Sequence, residues 1–161
     1  MDQNTLLAGL DFSRSRLLGI LDAIEKSGQD IAKVLAFRPA PGRAHIAWQA
    51  MHCAATHDRY LNVSLKGGKP NDEALCANFA GGSTPSDTNV PTLGEIRSAL
   101  ETTYAAFRSY AAALPAAELA RVLPSKRTVG ESLLLLAWHE AHHQGQIHLT
   151  WNIYKQANGV A

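Results

Sequence analysis

The spacing of side chains along one helical face constrains this chain more than any other feature of its sequence. After residue 92, the residues of that face recur at alternating steps of three and four, as in a helix that buries one side: Leu93, Ile96, Leu100, Thr103, Phe107, Tyr110 and Leu114. Thr92 and Glu95 precede this run in the pattern of a capping box, and Pro115 follows it, where a helix could not continue. The sequence therefore predicts a helix over about 93–114.

Three further segments show helical patterning. The last opens with a second capping-box pattern, Thr128 and Glu131, and runs to a stop signal at Gly159. The first spans about Thr5 to Lys26, and the second follows "RPAPG" and contains "RAHIAWQAMHCAATHDRYLNV". No alternating strand pattern and no internal repeat is visible. Four helices of about 22 residues, each roughly 33 Å long, predict an all-α four-helix bundle.

A long segment with no clear period, residues 63–91, separates the second and third predicted helices. It is rich in glycine, proline and asparagine and is too long for a simple connector. Two interpretations stay open: the segment covers an opening in the bundle, or it is mobile. The length of 161 residues predicts a single domain over residues 1–161.

Composition and charge exclude several classes of protein. A net charge of +1 gives no electrostatic footprint for nucleic acid or an anionic membrane surface. The start of the chain lacks the pattern of a signal peptide, and the longest strongly apolar run, "SLLLLAW", is too short to span a bilayer. Cys53 and Cys76 show no CxxC spacing and suit a reducing compartment. We expect a cytoplasmic protein without nucleic-acid or membrane partners.

The seven histidines fall in two windows: 45, 52 and 57 on the second predicted helix, and 139, 142, 143 and 148 on the last. His139 and His143 are separated by roughly 40° around the helix axis, so both rings can reach one atom. One histidine of the second helix would complete three imidazoles, and a fourth position left to water gives the composition of a catalytic zinc-type site. His45 and His52 compete for that role, and His142 could replace one of the pair.

The stretch "HEAHH" also matches H-E-x-x-H, the helix motif of zinc proteases, in which Glu140 would be the general base. The extended protease motif fails, because Gln146 and Leu149 stand where glycine and histidine belong. No acidic residue follows Glu140, so a downstream glutamate ligand is absent as well. The protease interpretation is therefore disfavoured, and Glu140 is expected to face solvent or a neighbouring helix.

The other polar and aromatic residues near the histidines have structural expectations. We expect His57 at the edge of the bundle with Asp58 and Arg59, and His148 in solvent or at an interface. Cys53 is expected to be a small core residue, because adjacent helix positions point about 100° apart and His52 takes the site-facing direction. Core or cleft-wall positions are expected for Trp48, Trp138 and Trp151.

The stretch "AWQAMH" on the second helix, together with "HEAHHQGQI" on the last, resembles the DinB-like (DinB/YfiT-like) metalloenzyme family over nearly the whole chain. The family motif has a histidine after an aromatic and polar stretch, followed later by H-x-x-x-H-R-G-Q. This match implies that His52, His139 and His143 bind one divalent metal, most often nickel or zinc. It also implies close helix approach at Gly145 and a supporting or packing role for Gln146.

The sequence departs from the motif at Gln144, where arginine is common, so an anion-binding role for that position is not implied here. The resemblance further implies a left-right-right-left bundle that frequently forms a homodimer. Characterised relatives include thiol-dependent S-transferases and isomerases, in which the metal activates a low-molecular-weight thiol toward a small-molecule substrate.

Two alternatives to thiol-dependent transferase or isomerase chemistry stay open. A metal-dependent hydrolase would need a base besides the ligands; Glu140 and Asp58 are the candidates, each expected to be a solvated charge. A non-catalytic metal-binding stress-response protein would have a closed site, and His45 could supply the fourth ligand.

Overall fold

The computed structural model describes residues 2–160, in which six α-helices and two other helical turns follow one another. A π-helix, Tyr60–Leu65, directly continues α3, and a 3₁₀ helix, Ala116–Ala120, precedes α6. The α-helices are α1 Gln3–Glu25, α2 Ile31–Ala36, α3 Ile46–Arg59, α4 Glu73–Phe79, α5 Leu93–Ala113 and α6 Val129–Ala157. Within residues 2–160 there is no β-strand, only an isolated bridge between Val122 and Thr128.

Helices α1, α3, α5 and α6 form the bundle, and the prediction of an all-α four-helix bundle is confirmed. Helix α1 packs chiefly on α6, while α3 lies against both α5 and α6. Helix α1 contacts α6 at Gly9, where an added Cβ would lie in ordinary van der Waals contact, 3.9 Å from the Cβ of Ala137. No described helix is both long and apolar enough to cross a membrane.

The core of the bundle is formed by two clusters of buried apolar side chains. One lies toward the C-terminal end of α1, where α2 and α4 also contribute side chains. The other lies toward the N-terminal end of α1. Members of the first include Leu17, Leu21, Ile24, Ile46, Ile96 and Leu100, and members of the second include Leu6, Leu10, Phe107, Leu133 and Leu136. Burying each of these large side chains contributes about 1.5–3 kcal/mol, which makes the apolar stripes the main source of stability.

Both predicted capping boxes are present. The Thr92 hydroxyl accepts a hydrogen bond from the Glu95 N–H, and the Glu95 carboxylate accepts one from the Thr92 N–H at 2.8 Å. Thr128 and Glu131 form the same pair at the start of α6. These local interactions satisfy backbone N–H groups that have no partner inside the helix, which is why the starts of α5 and α6 were predictable.

The segment 63–91 is more ordered than its lack of period suggests. The π-helix extends to Leu65, and α4 then begins after Asp72, whose carboxylate accepts a hydrogen bond from the Leu75 N–H. Sequence patterning missed α4 because seven residues are too few to establish a helical period. The carboxylate of Asp58 accepts hydrogen bonds from the N–H groups of Asn71 and Asp72, which fastens this segment to α3.

Candidate metal centre

Three histidines from α3 and α6 converge inside the bundle. One ring nitrogen each of His52, His139 and His143 lies within 4.8 Å of the others. The Nε2 atoms of His52 and His139 are 3.1 Å apart, and the three ring centroids are separated by 4.6 to 5.0 Å. The structure thus brings together the three residues that the family resemblance implies as metal ligands.

The hydrogen bond of His52 determines which of its nitrogens faces this cluster. Its Nδ1 lies 2.6 Å from the carbonyl oxygen of Phe79, which can only accept a hydrogen bond. Nδ1 therefore carries the proton, and Nε2 presents a lone pair toward His139. Metal-binding histidines commonly donate their other N–H to a backbone carbonyl in this way, because the contact fixes both tautomer and ring orientation.

A second observation also fits a metal ion at this position. The Nδ1 atom of His143 is buried and has no hydrogen-bond partner in residues 2–160. Imidazole nitrogens suit divalent zinc, nickel and copper, and three of them leave at least one coordination position open. These donors therefore fit a divalent transition metal.

Burial and mutual repulsion keep the three rings neutral. Burial, followed by the charges of the neighbouring histidines, lowers the pKa of His139 to about 4 and that of His143 to about 3. Burial also lowers the pKa of His52, against the opposing effect of its hydrogen bond to Phe79. At neutral pH all three rings are in the unprotonated form that binds metals.

Comparison with known proteins places this arrangement in a family. Residues 9–147 match the DinB superfamily. The chain belongs to the DinB superfamily. A conserved protein from Enterococcus faecalis, known from a crystal structure, has the same fold, with a TM-score of 0.72 and 17% identity over 95% of this chain and 97% of that one. No curated protein matches the chain significantly.

His45 and His142, the other candidate ligands in this DinB-superfamily chain, lie outside the cluster. His45 caps α3: its Nδ1 accepts a hydrogen bond from the Trp48 N–H at 3.0 Å, and its Nε2 donates to the Ser86 carbonyl at 2.9 Å. Both nitrogens of His45 are therefore occupied. His142 is exposed, and its Nε2 accepts a hydrogen bond from the Gln146 side chain at 2.9 Å.

Glu140 and His57 lie in the interior, which corrects two expectations. His57 was expected at the bundle edge, and Glu140 was expected in solvent or against a neighbouring helix and, as a candidate base, to be a solvated charge. Each is only 1% exposed, so the edge position and the solvated charge are wrong, while Glu140 does face the neighbouring helix α1. Glu140 contacts Arg14 of α1 at 2.5 and 3.1 Å, and Arg14 Nη2 also lies 3.2 Å from His57 Nδ1. Arg14 further donates to the Leu100 carbonyl at 2.7 Å. Sequence reasoning missed this buried network.

The sequence does contain a signal for the network. Arg14 lies four residues after Leu10 and three before Leu17, within the stripe of α1 that faces the core. An arginine in an apolar stripe requires a buried acidic partner, because an unpaired buried charge is costly. Glu140 of α6 is that partner.

Asp58 was expected to be a solvated charge and is instead 4% exposed. Besides the N–H groups of Asn71 and Asp72, its carboxylate accepts a hydrogen bond from the Asn62 amide at 2.5 Å. Asp58 and Glu140 are thus both occupied by structural interactions, and neither is free to act as a base at the three histidines.

A cleft of about 510 Å³ lies beside the start of α3 and is linked to the three-histidine cluster through Trp48. The indole of Trp48 forms part of its wall and stacks on the His52 ring, with centroids 4.8 Å apart and planes 6° from parallel. Gln49 and Gln146 also line it. The Nε1 atom of Trp48 and the Oε1 atom of Gln49 are buried without a hydrogen-bond partner in the described chain. A donor and an acceptor without partners thus belong to two wall residues of the cleft, one of which stacks on a histidine of the cluster.

The remaining expectations have mixed outcomes. Trp151 lies in the core and Trp48 in a cleft wall, but Trp138 is 58% exposed, contrary to expectation. A Cβ added at Gly145 would meet nothing within 4 Å, so the close helix approach implied there does not occur within residues 2–160. Cys53 is a buried core residue as expected, and burial raises the pKa of its thiol well above the usual range.

Proposed function

We propose that this chain is a metal-dependent enzyme in which His52, His139 and His143 hold one divalent ion, nickel or zinc. Its reaction is a thiol-dependent transfer or isomerisation on a small electrophile. The observation that carries this proposal is the convergence of three neutral imidazoles, one of them fixed by the Phe79 carbonyl. When bound, the ion would act as a Lewis acid and lower the pKa of a thiol in its open position.

The protein's own groups support thiol chemistry over the two alternatives. A hydrolase needs a base that takes a proton from water, and both candidate carboxylates, Glu140 and Asp58, are buried and paired. A closed, non-catalytic site needs a fourth ligand, and both nitrogens of His45 are already hydrogen-bonded. A thiol ionises far more readily than water and needs no such base.

The cleft beside Trp48 supplies the space for a reactant in this proposal. The Trp48 indole forms an apolar wall against the His52 ring, which limits the access of water to that side of the cluster. The partnerless Gln49 Oε1 and Trp48 Nε1 would orient a ligand that carries both a donor and an acceptor. Such a ligand would bind about 0.5–1.5 kcal/mol more weakly if it lost one of these neutral partners.

Metal binding is tested by metal analysis of protein purified without a histidine tag. We expect one equivalent of metal in the wild type and at least about tenfold weaker binding in a His52→Ala, His139→Ala double variant, because loss of a ligand should cost no less than loss of an outer contact. His142→Ala is the matched control, since this neighbouring histidine is outside the cluster. Stoichiometric metal in the double variant would refute the assignment.

The thiol is tested with the cobalt-substituted protein at neutral pH. A sulfur-to-cobalt charge-transfer band should appear when a low-molecular-weight thiol is added and should be absent before. A band without added thiol would identify Cys53 or Cys76 as a ligand, contrary to their burial away from the cluster. If no band forms at any thiol concentration, the hydrolase or the non-catalytic function replaces the transferase.

The proposal includes a homodimer formed through the exposed side of α6. Leu134, Trp138 and Leu149 are 50%, 58% and 61% exposed. Their spacing places them within about 60° of one another around the helix, so they form one apolar strip. Apolar strips of this kind on one surface commonly mark a contact with another protein, and a two-fold axis would let the strip cover itself.

A further inference from the structure

A second cleft, of about 290 Å³, adjoins the three-histidine cluster on the side opposite the Trp48 cleft along α3. Thr56 and Arg59, in its wall, follow His52 by four and seven residues and therefore share its helical face. Gly81 is another wall residue, and a Cβ added there would lie 3.9 Å from Cε1 of His52. One wall residue of the second cleft thus lies beside the imidazole of His52.

The π-helix supplies much of this second cleft. Tyr60, Val63 and Ser64 belong to the segment Tyr60–Leu65, in which the helix widens by one residue per turn directly after α3. Such π-helical turns are rare and are found frequently at functional sites. Thr56, Tyr60 and Ser64, each of which carries a hydroxyl group, therefore line the same small space as Arg59.

Arg59 forms no salt bridge with any residue between Asp2 and Val160. The neighbouring carboxylate of Asp58 already accepts hydrogen bonds from the Asn62 side chain and from two backbone N–H groups, so it does not pair with Arg59. Arg59 lies about two helical turns from His52 on the same face of α3, so the field of its positive charge extends along the cleft toward the cluster. The same field opposes a divalent cation there, and an anion bound between the two would remove the repulsion.

We propose that Arg59, with the hydroxyl groups of Thr56 and Ser64, binds an anionic oxygen group of the substrate, a carboxylate or a phosphate. The planar guanidinium matches both groups through paired N–H donors, and hydroxyls complete their hydrogen bonds. The cleft is at the lower limit of ligand-site volumes, so it accommodates one end of a ligand rather than the whole. The substrate is then a small electrophile with an acidic group. This assignment of substrate class rests on the proposed function.

Anion binding by Arg59 itself does not require metal, which allows a separate test. Chelator-treated, isotope-labelled protein is titrated with succinate and, separately, with inorganic phosphate, while the Nε–H resonances of the arginine side chains are followed by NMR. A saturable shift of the Arg59 resonance is expected with at least one of the two anions. The anion with the higher affinity identifies the group as carboxylate or phosphate.

Two variants and a control make the result specific. In the variants the affinity is followed through the backbone amide resonances of Thr56 and Ser64. Arg59→Gln should weaken it at least about tenfold, since a charge-assisted bond is lost, and Arg59→Lys should fall between Arg59→Gln and the wild type. Arg16→Gln, an exposed arginine of α1, should leave the affinity unchanged. An equal affinity in Arg59→Gln, a saturable shift of Arg43 in the Trp48 cleft instead, or non-saturable shifts of all exposed arginines would each overturn the inference.

A linked measurement separates this inference from the proposed function. In chelator competition, the anion should tighten metal binding in the wild type more than in Arg59→Gln, because binding free energies are reciprocal. If the protein binds metal but Arg59 binds no anion, the inference is wrong and the proposed function stands. If Arg59 binds the anion and the histidines bind no metal, the proposed function is wrong and the anion site stands.

Discussion

The buried ion pair between Arg14 and Glu140 makes a strong prediction about stability. In Glu140→Gln, the guanidinium of Arg14, whose side chain is 6% exposed, would keep only neutral partners: the Leu100 carbonyl, His57, the Tyr104 ring and the new amide. Two unit charges about 4 Å apart attract by roughly 4 kcal/mol at an effective dielectric constant of 20. Breaking a buried pair from one side costs about 3–5 kcal/mol, because the remaining charge stays buried. For a domain of this size the melting temperature should fall by about 6–20 °C.

The assay is urea unfolding followed by circular dichroism, with a chelator present so that metal binding does not contribute. An Arg14→Met, Glu140→Leu double variant should recover most of the loss, since apolar replacement of a whole buried pair is often neutral or stabilising. Glu25→Gln is the matched control, because Glu25 forms an ion pair with Arg97 in which both side chains are substantially exposed. This variant should lower the free energy of unfolding by less than about 1 kcal/mol. If Glu140→Gln costs no more than this control, the buried-pair argument is refuted.

Three further predictions concern acid, assembly and capping. In the metal-free protein, His139 and His143 protonate near pH 4 and 3 when folded but near 6.5 when unfolded, so the unfolded state binds more protons in acid. The free energy of unfolding should therefore fall as the pH drops below about 6.5, by on the order of 2 kcal/mol per ring at pH 5, and His139→Ala should flatten this dependence in urea titrations. Light scattering at micromolar concentration should give twice the chain mass of 17.3 kDa, and Trp138→Glu with Leu149→Glu should give the monomer; a monomeric wild type would exclude the dimer. Thr128→Ala should cost about 1 kcal/mol in thermal unfolding, and no loss would mean that the cap is unimportant.

Helix boundaries were predictable where local chemistry determines them. The starts of α5 and α6 follow from Thr92 and Thr128, because each capping interaction joins residues only three positions apart. The end of α5 precedes Pro115 as expected, and the backbone of Gly159 adopts a φ of 65° just beyond α6. Interactions of this range can be recognised in a sequence without knowledge of the fold.

The candidate site was predictable only in part. Helical spacing paired His139 with His143, but choosing His52 over His45 required the family resemblance, since both lie near one face of the second helix. The carbonyl of Phe79 could not be foreseen, because a backbone oxygen has no signature in the sequence and its position depends on the path of the segment after α3. The link from Arg14 to Glu140 spans 126 residues and becomes visible only when α1 and α6 are packed together.

The packing of α1 on α6 has a consequence for the order in which the protein can fold during synthesis. Helix α1 leaves the ribosome first, yet the helix that covers its leucine stripe and neutralises Arg14 is made more than 100 residues later. Contacts of such long range form slowly, and domains generally fold as units. The apolar faces of the earlier helices therefore remain exposed to solvent until α6 has been synthesised. A fragment that stops before Thr128 is expected to remain unfolded and to bind chaperones.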